Sequence, residues 1–344
     1  MDLPAALPRL DGLAPEDADA LTELYIRGTP ANTLRAHARD LVYIRAWKRA
    51  AFEAELAWPE RADVALRFVL DHARDLSAET GGARDAAAAL IAAGLRRSLA
   101  CPAPATLDRR IASWRAFHRM RDQPSPFEAP LIRQARAKAR RACARPPAPK
   151  SANPITRDVL EAMLKACDAS LRGVRDRAVL MLGWASGGRR RAEIAGLMRD
   201  DIDTRPFAEE GLIRLRLLGT KTTAHAQLVL KGRAARALMR WIEAAPITEG
   251  PLFRPVSRAD RALARPLSPD GVRAIVARRL AQAGYPPDHA SAHGLRSGFL
   301  TQAARDGAPL AAAMRLSLHR SAAQAQRYYA DADLAENPAA DLLE

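Results

Sequence analysis

Hydrophobic residues in the first 145 positions recur with the spacing of α-helices, and no stretch there alternates with a period of two. The firmest helix start is expected at Thr29-Pro30, with Thr29 as the N-cap and Pro30 at the first helical position. After it, Leu34, Ala38 and Leu41 fall on one apolar stripe. Further helices are expected at about 15–27, 60–75, 83–98, 105–121 and 126–142. The pattern predicts an all-α bundle.

The second half of the chain mixes two periodicities. Residues 212–218 alternate apolar side chains with arginines, which predicts a strand that returns through a turn at 219–225 into a second strand at 226–230. Helical patterns surround this hairpin at 155–169, 171–184, 189–197, 235–242, 269–280 (capped by Ser268), 293–305, 309–317 and 321–330. A small antiparallel sheet among many helices predicts an α+β domain, so the whole chain is expected to be mainly α with two domains.

Composition changes sharply between the two halves. Residues 133–145 hold six basic residues and no acidic one, and a Pro-Pro-Ala-Pro segment follows at 146–149. Because consecutive prolines cannot continue a helix, they favour an extended connector. A basic helix that leads into such a connector would let two domains grip opposite sides of a duplex, although a solvated surface helix with a spacer fits the same residues. The predicted segments are a lead-in at 1–28, a helical domain at 29–145, a linker at 146–153, a second domain at 154–330 and a tail at 331–344.

The charge balance indicates the class of partner. Lys and Arg number 54 against 39 Asp and Glu, a formal net charge of +15, which is typical of proteins that bind polyphosphates. A GC-rich genome that favours Ala and Arg would give a similar composition. No run of about 18 apolar residues predicts a membrane span, and the N-terminus lacks the order of a signal peptide. We therefore expect a cytoplasmic protein.

The three cysteines, Cys101, Cys143 and Cys167, are scattered along the chain without a C-x-x-C motif. Their odd number and their spacing argue against a disulfide framework and against a zinc site. We expect them to fill the core of a protein in a reducing compartment.

Residues suited to chemistry on a phosphodiester occur in a fixed order along the second half. His293 and Arg296 stand at positions i and i+3, so they share one helix face. Taken singly, each such residue is more often a packing or surface group. The ordered set is less common, and it consists of Arg190, Lys221, His293, Arg296, His319 and Tyr328.

Three motifs carry a resemblance to the tyrosine recombinase (phage integrase) family. Residues 188–194 read Gly-Arg-Arg-Arg-Ala-Glu-Ile and are similar to the family motif Gly-Leu-Arg-x-Ser-Glu-Leu, in which Glu193 fixes the register to Arg190. His293-Gly-Leu-Arg296 matches the motif His-x-x-Arg. The last motif is Leu-Gly-His followed nine residues later by Tyr, and His319 is nine residues before Tyr328. The chain departs from these motifs at Ala192, where Ser is usual, and at Leu318, where Gly is usual.

The resemblance implies a core-binding (SAM-like) helical bundle followed by the tyrosine recombinase catalytic fold. It also implies site-specific DNA recombination or integration, as in mobile elements, through a 3′-phosphotyrosyl intermediate without metal, ATP or another cofactor. Tyr328 resembles the nucleophile, with Tyr329 as the other candidate, and His293 resembles a general base. Arg190, Arg296 and His319 resemble the groups that bind the scissile phosphate, and Lys221 resembles the general acid.

The expected partners are double-stranded DNA, further copies of the chain in a tetramer on paired sites, and accessory DNA-bending proteins; the expected place is the nucleoid. Candidate DNA-binding residues are Arg35, Arg39, Arg133, Arg136, Lys138, Arg140 and Arg141. Three other functions stay open: relaxation of supercoils in the manner of a type IB topoisomerase, DNA binding without catalysis, and RNA binding. The last would leave the ordered set of residues unexplained.

Overall fold

The computed structural model describes residues 13–145, 151–217, 226–319 and 321–333. Contacts divide the chain into two compact units, residues 1–147 and residues 148–344. Within the described ranges, every helix is too short or too polar to cross a bilayer.

Every regular element among the described residues of the first unit is a helix, as the apolar pattern predicts. Its core is aromatic: Trp47, Phe68 and Trp114 are buried and pack edge to face. The apolar stripe predicted on the second helix is also buried. The helices are α1 (Pro15–Gly28), α2 (Ala31–Phe52), α3 (Ala62–Asp71), α4 (Gly82–Ala92), α5 (Pro104–Arg119) and α6 (Pro130–Ala142).

The predicted start of α2 is wrong by one residue. Pro30 is the N-cap, and Thr29 instead ends α1 with an extended backbone. Its N–H donates a hydrogen bond to the Ile26 carbonyl, 3.4 Å away. Thr29 therefore belongs to the end of α1 and does not cap α2. Local propensities alone do not reveal this.

The prediction for the cysteines is correct for one and wrong for two. Cys167 is buried in the core of the second unit, as expected. Cys101 and Cys143 are instead half-buried neighbours in the first unit, with their Sγ atoms 2.8 Å apart. Burial and the neighbouring thiol raise the pKa of Cys101 to about 12. The long sequence separation of the two residues hides their proximity.

The second unit is built around a three-stranded antiparallel sheet in the order β1-β2-β3, which confirms the α+β prediction. Ile213 pairs with Leu230 and Leu215 with Leu228, so these apolar side chains line one buried face. The strands are β1 (Ile202–Asp203), β2 (Leu212–Leu217) and β3 (Ala226–Lys231). The helices are α7 (Arg157–Lys165), α8 (Leu171–Ala185), α9 (Arg191–Ala195), α10 (Phe207–Glu210), α11 (Gly232–Ala244), α12 (Pro269–Gln282), α13 (Gly294–Arg305), α14 (Leu310–Ser317) and α15 (Ala322–Asp333).

Two helices of the second unit are clearly shorter than predicted, as are those expected at 60–75 and 83–98 in the first unit, which cover Ala62–Asp71 and Gly82–Ala92. The helix expected at 155–169 covers only Arg157–Lys165, because the backbone of Ile155 bonds to other elements. Its N–H donates to the Gly294 carbonyl at 2.9 Å, and its carbonyl accepts from the Trp184 indole at 2.9 Å. The helix expected at 189–197 covers Arg191–Ala195, which leaves two arginines in the loop before it. The predicted cap at Ser268 is confirmed, since its hydroxyl accepts the Gly271 N–H at 3.0 Å.

Candidate active site

Two glycines at the end of α8 bring the arginine loop against the C-terminal helices. Gly187 and Gly188 have φ values of 92° and 71°, which L side chains rarely adopt. A Cβ on Gly188 would lie 2.2 Å from Cα of Arg296, and one on Gly187 would lie 2.3 Å from the backbone of Leu316. Only glycine therefore fits at either position, and the loop can lie directly on α13 and α14.

Arg190 is held by Glu193 at the start of α9. The Arg190 backbone N–H donates to Oε2 of Glu193 at 3.1 Å, and Nη1 donates to Oε1 at 2.7 Å. About half of the Arg190 side chain is exposed, so the guanidinium remains accessible to a ligand. The spacing that fixes the motif register thus corresponds to a real contact, in which one carboxylate orients the arginine.

Arg296 and His319 contact each other within the site. Nε of Arg296 lies 3.2 Å from Nε2 of His319, and Nη2 lies 3.1 Å from Nδ1. Because a neutral imidazole has one acceptor nitrogen, only one of these contacts is a hydrogen bond and the other is a packing contact. Nη1 of Arg296 donates to the Gly188 carbonyl at 3.1 Å, so the glycine loop also orients this arginine.

Burial, together with neighbouring positive charges, shifts the pKa of both residues. Burial, followed by the charges of Arg189 and Arg190, lowers the pKa of Arg296 to about 10. Burial, followed by the charge of Arg296, lowers the pKa of His319 to about 4. His319 is therefore neutral at pH 7, while Arg296 keeps its charge.

The two adjacent tyrosines of α15 point to different places. The Tyr328 hydroxyl lies 3.4 Å from Nε2 of His293, and its ring centroid lies 6.3 Å from that of His319. The Tyr329 hydroxyl donates instead to the Ala308 carbonyl at 3.0 Å, and burial raises its pKa. Of the two candidates, only Tyr328 is directed at the histidines and arginines.

The structure thus brings together five of the six residues predicted for the site. The sixth, Lys221, lies outside the described residues, as do the linker residues 146–150 and the tail residues 334–344. A cavity of about 300 Å³ opens beside the assembled groups. Its lining consists of Arg189, Arg190, Arg191, Arg273, Ser291, Ala292, His293 and Arg296.

Sequence reasoning missed three residues near these groups. The Ser317 hydroxyl lies 2.8 Å from Nδ1 of His319. Arg191 and Arg273 line the cavity, and both lie near the carboxylate of Asp270, at 3.0 and 3.6 Å. The run of three arginines after the glycines was a usable signal for Arg191. Ser317 and Arg273 gave none, since their roles depend on how helices meet.

Most of the candidate DNA-binding residues lie on exposed surfaces of the first unit. Arg35 and Arg39 project from α2. On α6, Arg136 contacts Asp108 with Nε 2.7 Å from Oδ1. Four of the α6 residues line one open recess of about 650 Å³, namely Arg133, Arg136, Arg140 and Arg141, while Lys138 is exposed outside it. Arg133, Arg136, Arg140 and Arg141 therefore share one cationic face of α6, which also includes the carboxylate of Asp108.

Chemically, the site of the second unit is suited to an anion that carries several oxygens. Among the residues the structure describes, no carboxylate contacts Arg296, and the neutral His319 can donate a hydrogen bond. Two guanidiniums can bind non-bridging phosphate oxygens in forked geometry. A tyrosine hydroxyl with a histidine beside it adds a nucleophile and a proton acceptor.

Comparison with known proteins points in the same direction. The pattern that defines the Phage integrase family matches residues 153–334. The integrase/recombinase xerD homolog of Selenomonas ruminantium is 30% identical over 185 residues, which is 51% of this chain and 53% of that protein. The tyrosine recombinase XerD of Xanthomonas axonopodis pv. citri (strain 306) is 34% identical over 188 residues, 51% of this chain and 57% of that protein. The matches thus span about half the length of these curated relatives.

Solved structures show the same fold at lower identity. The XerH site-specific recombinase bound to difH substrate in a pre-cleavage complex gives a TM-score of 0.56 at 15% identity, covering 97% of this chain and 86% of that one. A lambda integrase dimer bound to a COC′ core site gives 0.54 at 16% identity, covering 89% and 91%. The Tn1549 transposon integrase in complex with circular intermediate DNA gives 0.54 at 15% identity, covering 93% and 96%.

Proposed function

The chain belongs to the phage integrase family, and we propose that it is a site-specific tyrosine recombinase that cleaves and rejoins double-stranded DNA. The observation that carries the proposal is the orientation of the two tyrosines. Tyr328 faces His293 and the arginines, whereas Tyr329 is bonded to the backbone at Ala308. The site therefore holds one phenol where a phosphodiester would bind.

In the proposed cleavage step the Tyr328 oxygen attacks the scissile phosphorus while the bond to the 5′-oxygen breaks. The phenol proton passes to His293, whose Nε2 is 3.4 Å from the hydroxyl. The departing 5′-oxygen takes a proton from a general acid, for which Lys221 is the candidate. One phosphoester bond replaces another, so the 3′-phosphotyrosyl intermediate conserves the bond energy. Rejoining is the same step in reverse and needs neither ATP nor metal.

Arg190 and Arg296 stabilise the negative charge that grows on the non-bridging oxygens during this step. Each can present two N–H groups to a phosphate, which a lysine cannot do. His319 is a further donor: its lowered pKa makes the ring neutral near pH 7, and a neutral imidazole carries one N–H. Removing one such donor typically slows a reaction about 10²- to 10³-fold.

The DNA itself is held by the positive surface of both units in this proposal. The cationic face of α6 and the exposed arginines of α2 would neutralise phosphates, so binding would weaken steeply as salt rises. The similar recombinases described above were solved on DNA, and one of them as a dimer. We extend this to a tetramer of the present chain on two paired sites within the nucleoid, with accessory DNA-bending proteins as further candidates.

The test is covalent capture in cells that carry the chain's native DNA. Cells expressing wild type, Tyr328→Phe or Tyr329→Phe are lysed in detergent, and protein–DNA adducts are precipitated and sequenced. We expect adducts from wild type and from Tyr329→Phe, and none from Tyr328→Phe, because only Tyr328 reaches the phosphate. The sequenced ends would also reveal the target site.

Other outcomes identify the alternative functions. Adducts from Tyr328→Phe would contradict the assignment of the nucleophile. DNA binding without adducts from any variant would indicate a binding protein of the same fold. Adducts together with relaxation of a supercoiled plasmid that lacks paired sites would favour an activity like that of a type IB topoisomerase.

A further inference from the structure

The turn before His319 has an unusual residue at its end. Leu318 closes α14 in the left-handed conformation, with φ 55° and ψ 39°. Glycine is the common residue at such a helix end because a Cβ clashes with the backbone there. Leu318 also occupies the glycine position of the Leu-Gly-His motif. The conformation that a glycine would adopt easily is therefore imposed on a leucine, next to a residue of the proposed active site.

A buried arginine reaches the same helix end. Nη2 of Arg189 donates to the Leu316 carbonyl at 2.8 Å, within the last turn of α14. The same nitrogen lies 3.5 Å from the Gly187 carbonyl, and Nη1 lies 3.7 Å from Glu193. Only 1% of the Arg189 side chain is exposed, so water does not compete for these contacts.

Two physical effects make this contact stabilising for the helix end. The last carbonyls of a helix lack partners within the helix, and a side-chain donor can satisfy one of them. A cation at this end also interacts favourably with the helix dipole. Arg189 stands where the family motif has leucine, and a leucine could supply neither effect. The two unusual residues thus act on the same structural feature, the C-terminal end of α14.

We propose that Arg189 is a positioning residue that caps the C-terminal end of α14 and so holds His319 against Arg296. The arginine thereby stabilises a turn that contains leucine at position 318, where glycine would adopt the left-handed conformation without strain. It does not touch substrate itself. The role in catalysis rests on the proposed recombinase function, whereas the role in placing His319 does not.

The charge of Arg189 gives this role a signature that packing alone would not give. Arg189 is one of the cations that lower the pKa of His319 and of Arg296. Loss of its charge should therefore raise the pKa of the His319 ring. A purely structural residue of the same size would leave the titration of His319 unchanged.

The experiment uses the full chain with four variants: Arg189→Met, Arg189→Lys, Leu318→Gly, and Arg189→Met combined with Leu318→Gly. Histidine ring signals are followed by NMR against pH, with His319 assigned from His319→Gln. Arg205→Met is the matched control, since Arg205 is an exposed arginine of the same unit whose partner is Asp203. In parallel, the rate of adduct formation and the affinity for the captured target DNA are measured.

We expect Arg189→Met to raise the pKa of His319 and to slow adduct formation about 10- to 100-fold, with DNA affinity within about threefold of wild type. Leu318→Gly should restore much of the rate in the Arg189→Met background and change little in wild type, because glycine closes the turn unaided. Arg189→Lys should keep the titration near that of wild type and recover part of the rate. Arg205→Met should match wild type.

Three results would overturn the proposal: an unchanged titration of His319 in Arg189→Met, a wild-type rate in that variant, or no rescue by Leu318→Gly. If Arg189→Met fails to fold, the double variant decides the question: recovery of folding and of the rate by Leu318→Gly supports the capping role, and failure to recover them contradicts it. If wild type forms no adducts, the NMR result stands alone and the failure belongs to the recombinase assignment.

Discussion

Two clusters of arginines in the second unit differ in whether the chain supplies a counter-charge to their buried members. Around Asp176, which is fully buried, three guanidiniums converge on one carboxylate: Arg175, Arg278 and Arg279 lie 2.7, 2.6 and 2.7 Å from its oxygens. In the candidate active site, the contacts of Arg296 are the Gly188 carbonyl and a neutral His319. The carboxylates near that site contact other arginines: Glu193 contacts Arg189 and Arg190. Asp270 contacts Arg191 and Arg273.

The contrast shows which cluster serves stability and which is prepared for a ligand. A buried cation without a counter-charge is costly in free energy, and that cost is removed when an anion binds. The Asp176 cluster contains its anion within the chain, so it joins α8 to α12. In the proposed recombinase, the candidate active site leaves the place of the anion to a phosphate.

The largest expected effect is on the stability of the Asp176 cluster. Asp176→Asn keeps the shape of the side chain but leaves the arginines without their counter-charge, so the free energy of unfolding should fall by about 3–5 kcal/mol. Hydrogen exchange of the amides in α8 and α12 measures this loss. Glu161→Gln is the control: its partner Arg233 is 58% exposed, so that pair should contribute less than about 1 kcal/mol. Equal losses in the two variants would remove the contrast between the clusters.

Arg296→Gln should show the opposite balance between activity and stability. The rate of adduct formation should fall about 10²- to 10³-fold because a donor to the phosphate is lost. The free energy of unfolding should stay within about 1 kcal/mol of wild type or rise, since a cation with a lowered pKa is replaced by a neutral amide. Chemical denaturation beside single-turnover cleavage measures both. A loss of stability comparable to that of Asp176→Asn would mean that Arg296 is chiefly structural.

The smallest expected effect is the contribution of His319 to the pH dependence of the free energy of unfolding. Its pKa is lowered to about 4 in the folded protein against about 6.5 in the unfolded chain, so the unfolded chain binds more protons between these values. Stability should therefore fall as pH drops from about 6.5 towards 4, and His319→Gln should reduce that fall. A bound DNA phosphate should raise the pKa of His319, as NMR titration with and without a short duplex would measure.

His72 supplies an internal reference for that titration. Burial lowers its pKa to about 3, and its ring is already bonded to the Tyr43 hydroxyl and the Phe68 carbonyl, both at 2.7 Å. It lies in the first unit, outside the candidate active site. Because this ring is buried and both of its nitrogens are already bonded, DNA should shift its pKa much less than that of His319. Equal shifts of His72 and His319 would indicate a general change in the protein rather than a phosphate beside His319.

Local patterns predicted what depends on local chemistry. The alternation in β2, the Ser268 cap and the apolar stripe of α2 follow from neighbouring residues and are confirmed. The motif register also singled out Tyr328 over Tyr329, and the structure directs Tyr328 at the other site residues. Spacing is informative there because successive residues of an α-helix point about 100° apart, so Tyr328 and Tyr329 must face different directions.

Contacts between distant segments explain what the sequence could not reveal. Ile155 leaves its predicted helix because its backbone bonds to Gly294 and Trp184. The two-residue strand β1 exists only through pairing with β2. In the sequence, Arg189 is simply one of three consecutive arginines. Only the fold shows that its guanidinium binds the Leu316 carbonyl. Each of these depends on a partner many residues away, which periodicity does not encode.

The attachment of α15 has a consequence for stoichiometry. This helix packs on α13 of its own chain, and the Tyr329 hydroxyl fastens it to the loop before α14. Each copy therefore carries the proposed nucleophile beside its own arginines, so a chain without Tyr328 and a chain without Arg296 should not complement each other. Two deficient copies could form one complete site only if α15 detached from its own chain and docked on the other. In the arrangement seen here, the number of competent sites in any assembly equals the number of intact chains.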